Sequence, residues 1–275
     1  MENKLNDLNG SQWLYWTNTI YETNFPPDLT HRIRKIHGAM KPPELMADII
    51  RFFTKSGELI LDPFAGVGGT LLGALLSNRD AVGIELNPVW TGVYKEIIKK
   101  FTVKEGCFVP VSEAIGVKEI LPEMILGDCL EVLKSLPEEK FDVIISDPPY
   151  GCNHCVSGFK KETNFNMFND QDKRDIGNSE SYQEYLDKIE LFGIEAYRVL
   201  KTGRYMVLLI GDRYHQGEYY PLGYQVAEIM RKVGFKWKGI RIWWNKATQR
   251  PLRPYAIKQC FIPNITHQNI IIMRK

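Results

Sequence analysis

No stretch of this 275-residue sequence approaches the roughly 20 consecutive apolar residues that span a bilayer, so no membrane-spanning helix and no membrane partner are expected. The opening MENKLNDLNGSQW has no basic stretch followed by an apolar one, so no secretory leader is expected. Cysteine is scarce. Cys107, Cys129, Cys152, Cys155 and Cys260 are odd in number and widely spaced, which argues against a disulfide framework. Low-complexity tracts and internal repeats are missing too. With 44% hydrophobic and 25% charged residues the composition is ordinary for a globular chain and argues against long disorder. Together these absences predict a soluble, cytoplasmic protein.

Net charge is nearly absent as well, +2 from 35 basic and 33 acidic residues. The balance conceals a division. Residues 231–275 contain eleven Lys or Arg and no Asp or Glu, which leaves −9 for the first 230. A split of that size suggests an edge facing a polyanion, although a solvated hairpin would account for the same charges.

Residues 1–40 are polar and irregular, punctuated by Trp13, Tyr15, Trp16 and Pro26-Pro27, and are expected to form an N-terminal arm lying on the domain. Pro42-Pro43 suits a helix start, and Leu45, Met46, Ile49, Ile50 and Phe53 continue it at helical spacing. Short apolar strands are predicted at the ELILD run, 81–85, 124–126, 141–146 and 204–210, with helices at 88–101, 130–136, 182–200 and 224–233. A strand pair at 236–244 and 269–273 follows. Strands alternating with helices predict an α/β fold: one domain over 1–275, with a mostly parallel sheet and an antiparallel strand pair at the C-terminal end.

Two segments carry chemistry. In the first, Leu59-Ile60-Leu61 runs into Asp62-Pro63-Phe64-Ala65-Gly66-Val67-Gly68-Gly69-Thr70 and then an apolar helix. Glycines in a strand–turn–helix allow a tight turn and close approach of a ligand to the helix N-terminus. The spacing is not GxGxxG and no Walker lysine follows, so phosphate is not the obvious ligand. Glu85 ends the next strand and can accept bonds from both hydroxyls of a ribose; Asp128 ends the third and can receive an adenine amino group. Either acid alone could be a helix cap. Three such strand ends in succession favour an adenosine-type cofactor.

In the second, FDVIIS ends in Asp147-Pro148-Pro149-Tyr150-Gly151. Two prolines fix φ and remove amide donors, holding the loop in one shape. Asp147 and the Pro148 carbonyl can then accept hydrogen bonds from an exocyclic amine, and Tyr150 offers a face on which a base can stack.

DPFAGVGGT, GIELNP, LGD and SDPPYG, in this order, resemble the S-adenosylmethionine-dependent amino-methyltransferases of DNA, the adenine-N6 and cytosine-N4 family. His37-Gly38-Ala39-Met40-Lys41-Pro42-Pro43 resembles the family element packed against the methionine end of the cofactor, and GFKWKGIRIWWNK its late strand pair. The resemblance runs from about His37 to the C-terminus. It implies a Rossmann-like class I methyltransferase fold with a cofactor half over 41–136 and a catalytic and substrate half over 137–275. It also implies S-adenosyl-L-methionine bound by Lys41, Pro42, Asp62, Pro63, Phe64, Ala65, Gly66, Gly68, Thr70, Glu85, Leu86, Asp128 and Cys129. Asp147, Pro148, Pro149 and Tyr150 would be catalytic. Asp in the first position of the tetrapeptide resembles the adenine-N6 enzymes more than the cytosine-N4 enzymes. Cytosine N4 therefore stays open, as do an RNA base amine (DPPYG also occurs in guanine-N2 methyltransferases of transfer RNA) and a non-catalytic nucleic-acid-binding module.

DNA is the expected partner, with the protein associated with the nucleoid. Arg34, Lys35, Lys160, Lys161, Lys246, Arg250 and Arg253 are the candidate phosphate contacts. Cys152 and Cys155 form a CxxC without a second pair, so no metal is expected there, and the 151–181 loop is expected to meet substrate. Only that loop and 107–123 are long enough to read sequence. Target recognition then falls to loops or to a dimer partner, and neither a homodimer nor a restriction endonuclease partner is readable from the residues.

Overall fold

The computed structural model describes residues 3–114, 122–151, 172–215, 218–248, 261 and 263–275. In chain order the elements are α1 (Gly10–Trp16), β1 (Ile20–Thr23), α2 (His31–Arg34), α3 (Pro43–Phe53), β2 (Leu59–Asp62), α4 (Gly69–Ser77) and β3 (Asp80–Glu85). Next come α5 (Pro88–Lys100), β4 (Phe101–Lys104), β5 (Cys107–Pro110), β6 (Glu123–Leu126), α6 (Cys129–Ser135) and β7 (Phe141–Ser146). The chain finishes with α7 (Tyr182–Val199), β8 (Leu200–Ile210), β9 (Arg213–His215), β10 (Glu218–Tyr220), α8 (Leu222–Val233), β11 (Lys236–Asn245) and β12 (Gln268–Arg274).

Helix starts follow local chemistry. Asn9 and Gln12 form a reciprocal capping box at α1, Pro43 opens α3, and the Ser181 side chain accepts from the Glu184 amide at α7. Eight strands form one sheet in the order β1-β11-β12-β8-β7-β2-β3-β6. β7, β2, β3 and β6 are parallel to one another and to β8, while β12 lies antiparallel between β8 and β11. The expected antiparallel element is thus a single reversed strand inserted between two others. The fold is Rossmann-like α/β.

β7 is buried along its whole length, as a central strand covered on both faces must be. Past an irregularity between Phe141 and Val143 its side chains alternate. Val143 and Ile145 join the core under α3, α4 and α5, and Phe141 and Ile144 join the one under α6, α7 and α8. Each such fully buried side chain contributes about 1.5–3 kcal/mol of transfer free energy. Among the described residues no helix is long and apolar enough to cross a membrane.

One expectation changes. Residues 1–40 are not an irregular arm: β1 adds an outer strand parallel to β11, and the Arg241 guanidinium lies against the neighbouring Trp16 and Tyr21 rings at 4.4 and 4.5 Å. A four-residue strand with one partner more than 200 positions away carries no local signature. The 107–123 segment, long enough to serve target recognition, begins with β5, the second strand of a β4–β5 hairpin.

Candidate active site

Strand order reverses between β2 and β7, which neighbour each other while β3 and β8 lead away on opposite sides. Open α/β sheets bind ligands at the carboxyl end of such a switch point. Both chemical motifs arrive there.

Asp62 ends β2. Its Oδ1 accepts from the Ser146 hydroxyl at 2.5 Å and from the Phe64 amide at 3.1 Å, so the bond from Ser146 ties the ends of the two switch-point strands together. Burial pushes the Asp62 carboxyl up to about 6, and the nearby Asp147 charge acts in the same direction. Ser146 was overlooked in the sequence; its signal was a hydroxyl closing an otherwise apolar run. The turn beyond Asp62 enters α4 through Gly68, whose φ of 83° and contact with the Tyr94 ring leave no room for a Cβ.

Glu85 ends β3. Its two oxygens accept separately from the amides of Gly66, at 2.8 Å, and Asn87, at 2.7 Å. Burial outweighs both bonds and pushes the carboxyl up to about 7. Each oxygen retains a second lone pair. Asp128 caps α6 by accepting from the Leu130 amide at 2.9 Å. Gly127 donates to the Glu85 carbonyl at 2.9 Å, joining the third strand end to the second. Pro63, Ala65 and Thr70 are buried in the turn; Phe64 and Leu86 are half-buried, with Phe64 standing edge-on to Phe192 at 5.1 Å. Cys129, expected at the cofactor, opens α6 with its side chain in the core, its thiol pushed up by burial.

Asp147 follows Ser146 directly. The Tyr150 hydroxyl donates to its Oδ1 and the Lys41 ammonium pairs with its Oδ2. The Pro149 carbonyl accepts from the Tyr185 hydroxyl of α7 at 2.9 Å, and the Tyr150 ring packs against Gly211 at the end of β8. Tyr185 was not singled out from the sequence, where it is one of several apolar-face residues of a long helix. His37 stands edge-on to Trp90 at 4.8 Å, and burial pushes its imidazole down to about 4. It is therefore neutral.

Among the described residues the candidate nucleic-acid contacts do not converge. Arg34 is 1% exposed and bonded to Asp28, Thr30 and the Lys41 carbonyl, so it cannot reach a phosphate. Lys35 is exposed. Lys246 pairs with Glu22 and lies over the Trp244 ring, on the carboxyl edge but three strands from β7. Lys160, Lys161, Arg250 and Arg253, with Cys152 and Cys155, lie outside the described residues. The basic tail is also dispersed. Arg241 is buried mid-strand, and Arg231, Lys232, Lys236, Arg274 and Lys275 fall at the opposite edge of the sheet.

Asp62, Glu85 and Asp128 thus present acceptors at the ends of three adjacent parallel strands, beside a turn whose amides open a helix. That set of acceptors fits the amines and hydroxyls of a nucleoside cofactor. Such a turn and a second loop carrying a carboxylate meet at one edge of a Rossmann-like sheet, the arrangement of α/β methyltransferases. A family model described as DNA methylase, of the N6/N4 type, matches residues 2–99 and 141–275, and the chain belongs to that family of S-adenosylmethionine-dependent methyltransferases. Asp128 and Cys129 fall outside the match.

The chain is 38% identical over 81 residues to the type II methyltransferase M.HindIII of Haemophilus influenzae, covering 29% of this chain and 25% of that one. It is 28% identical over 133 residues to a tRNA (guanine(10)-N2)-dimethyltransferase of Methanothermobacter thermautotrophicus, covering 48% and 34%. The matched segments span between 25% and 48% of the first curated relatives' own lengths. Among solved structures PH0851 shares the fold, with a TM-score of 0.51 and 14% identity over 92% of this chain and 50% of that one.

Proposed function

We propose that the protein methylates the exocyclic N6 of adenine in DNA, on a nucleotide rotated out of the duplex. The observation that carries this is the Asp147 carboxylate, held at the switch point between the Tyr150 hydroxyl and the Lys41 ammonium and one residue from the Ser146–Asp62 bond. S-adenosylmethionine, when bound, would supply an electrophilic methyl, its S–C bond breaking with the electron pair left on sulfur as the amine nitrogen forms the N–C bond. The protein's task is position and charge. An aromatic amine is a poor nucleophile because its lone pair is delocalised into the ring. Asp147 accepts one N–H, and the Pro148 carbonyl the other, which favours the tetrahedral nitrogen and stabilises the positive charge it gains. The surplus proton leaves through the hydrogen bond to Asp147. Glu85 receives the ribose hydroxyls, and Asp62 lies where the glycine turn meets the tetrapeptide. A base within a duplex cannot reach this edge, so it is extruded onto Tyr150.

Nucleoside mass spectrometry of unmethylated DNA incubated with the protein and S-adenosylmethionine tests the proposal. N6-methyladenine is expected and Asp147→Ala abolishes it; N4-methylcytosine instead, or unchanged product in the variant, overturns it. The tRNA-methylating relative favours a second substrate class, an RNA base amine. Labelled methyl transfer into total RNA and into DNA, measured side by side, separates the two.

A further inference from the structure

Lys41 lies in the segment whose pattern implies contact with the cofactor, yet its side chain turns to the catalytic loop. Its ammonium pairs with Asp147 Oδ2 and is 3.3 Å from the Tyr150 hydroxyl, with 8% of the side chain exposed. Tyr150 donates to Oδ1, so each carboxylate oxygen is held by its own donor and rotation of the group is fixed.

Lys41 is held in turn. Its carbonyl accepts from Arg34 Nη1 at 3.0 Å and packs against the start of α4, where a Cβ on Gly69 would come within 3.1 Å of it. Arg34 is anchored by Thr30 Oγ1 at 2.8 Å and by Asp28 Oδ2 at 2.5 Å. A buried guanidinium is costly unless paired in this way, and breaking such a pair leaves an uncompensated charge. The segment from Asp28 to Lys41 is therefore a built support that reaches Asp147.

We propose that Lys41, set by the buried Asp28–Arg34 pair, is a positioning residue for Asp147 and not a cofactor ligand. The proposal rests on Asp147 being the acceptor of the target amine. Asp62 ends β2 and Asp147 follows the end of the neighbouring β7, and the Asp147 charge adds to the burial that raises the Asp62 carboxyl. A cation on Asp147 offsets that charge. It also leaves the carboxylate in one orientation, with a free lone pair on each oxygen for the amine.

The test uses the full chain with Lys41→Met and Lys41→Arg. Calorimetry with S-adenosylhomocysteine and no nucleic acid reads cofactor affinity, and steady-state methylation of DNA at saturating S-adenosylmethionine reads kcat and KM. Lys41→Met should lower kcat about 100-fold, the scale of a misplaced catalytic group, with cofactor Kd changed less than about threefold. Lys41→Arg should restore most of kcat. An about 50-fold weaker Kd with kcat unchanged at saturation would assign Lys41 to the cofactor and overturn the proposal, as would a Lys41→Arg variant no better than Lys41→Met. A readout without turnover separates this from failure of the proposed function. The 15N signal of the Lys41 ammonium should be protected from exchange in the wild type and lost in Asp147→Ala. A wild type inert on every nucleic acid would sink the function, whereas persistence of that signal in Asp147→Ala would sink the pairing.

Discussion

S-adenosylmethionine should bind about tenfold more weakly at pH about 6 than at pH about 8, because of Glu85. Its carboxyl is pushed up to about 7 by burial, against the two amide hydrogen bonds from Gly66 and Asn87. Only the ionised form has lone pairs for both ribose hydroxyls. Each pH unit below about 7 removes about tenfold of that form, or about 1.4 kcal/mol. Asp62, pushed up to about 6, adds about a twofold loss at the lower end of that interval, so most of the slope belongs to Glu85. Calorimetric titration of the full chain without nucleic acid reads the slope, and Glu85→Gln should flatten it at lower overall affinity. Wild-type affinity that is level across the interval, or the same slope in Glu85→Gln, would refute the assignment.

The same shift has a stability counterpart. A carboxyl raised on folding contributes stability that is fully present below its unfolded value of 4.5 and is lost as pH rises through about 7. At pH about 8 Glu85→Gln should therefore recover up to about 3 kcal/mol, less about 1 kcal/mol for the amide its NH2 cannot accept, as read by chemical denaturation.

Two substitutions probe the turn and the catalytic loop. Gly68→Ala forces a Cβ into the Tyr94 ring at a φ of 83° and should cost about 2–4 kcal/mol by denaturation, whereas Gly10→Ala, with open space around it, should stay within about 0.5 kcal/mol. Gly211→Ala places a Cβ 3.1 Å from Tyr150 Cε2 and should displace that ring, lowering methyl transfer at least about tenfold while the midpoint of unfolding moves little.

The sequence by itself determined the elements whose partners are local. LILD followed by a glycine turn and an apolar helix, and FDVIIS followed by two prolines, state their own conformation, because strand burial, turn geometry and helix entry are decided within a few residues. From their alternation the mostly parallel sheet was legible, and with it the arrival of Asp62, Glu85 and Asp147 at one edge. Tertiary structure alone decided which charged groups meet. Lys41 and Asp147 are 106 positions apart, and Asp62 and Ser146 are 84 apart. The second pair exists because strand order brings β2 beside β7, and the first because the segment before α3 packs against the start of α4. Arg34 and the C-terminal cations make the same point in reverse. A count of charges says nothing about which are buried against a carboxylate or carried to the far edge by a reversed strand. Hydrophobic periodicity records what a residue's own element must bury, whereas the partner of a charge is set by topology.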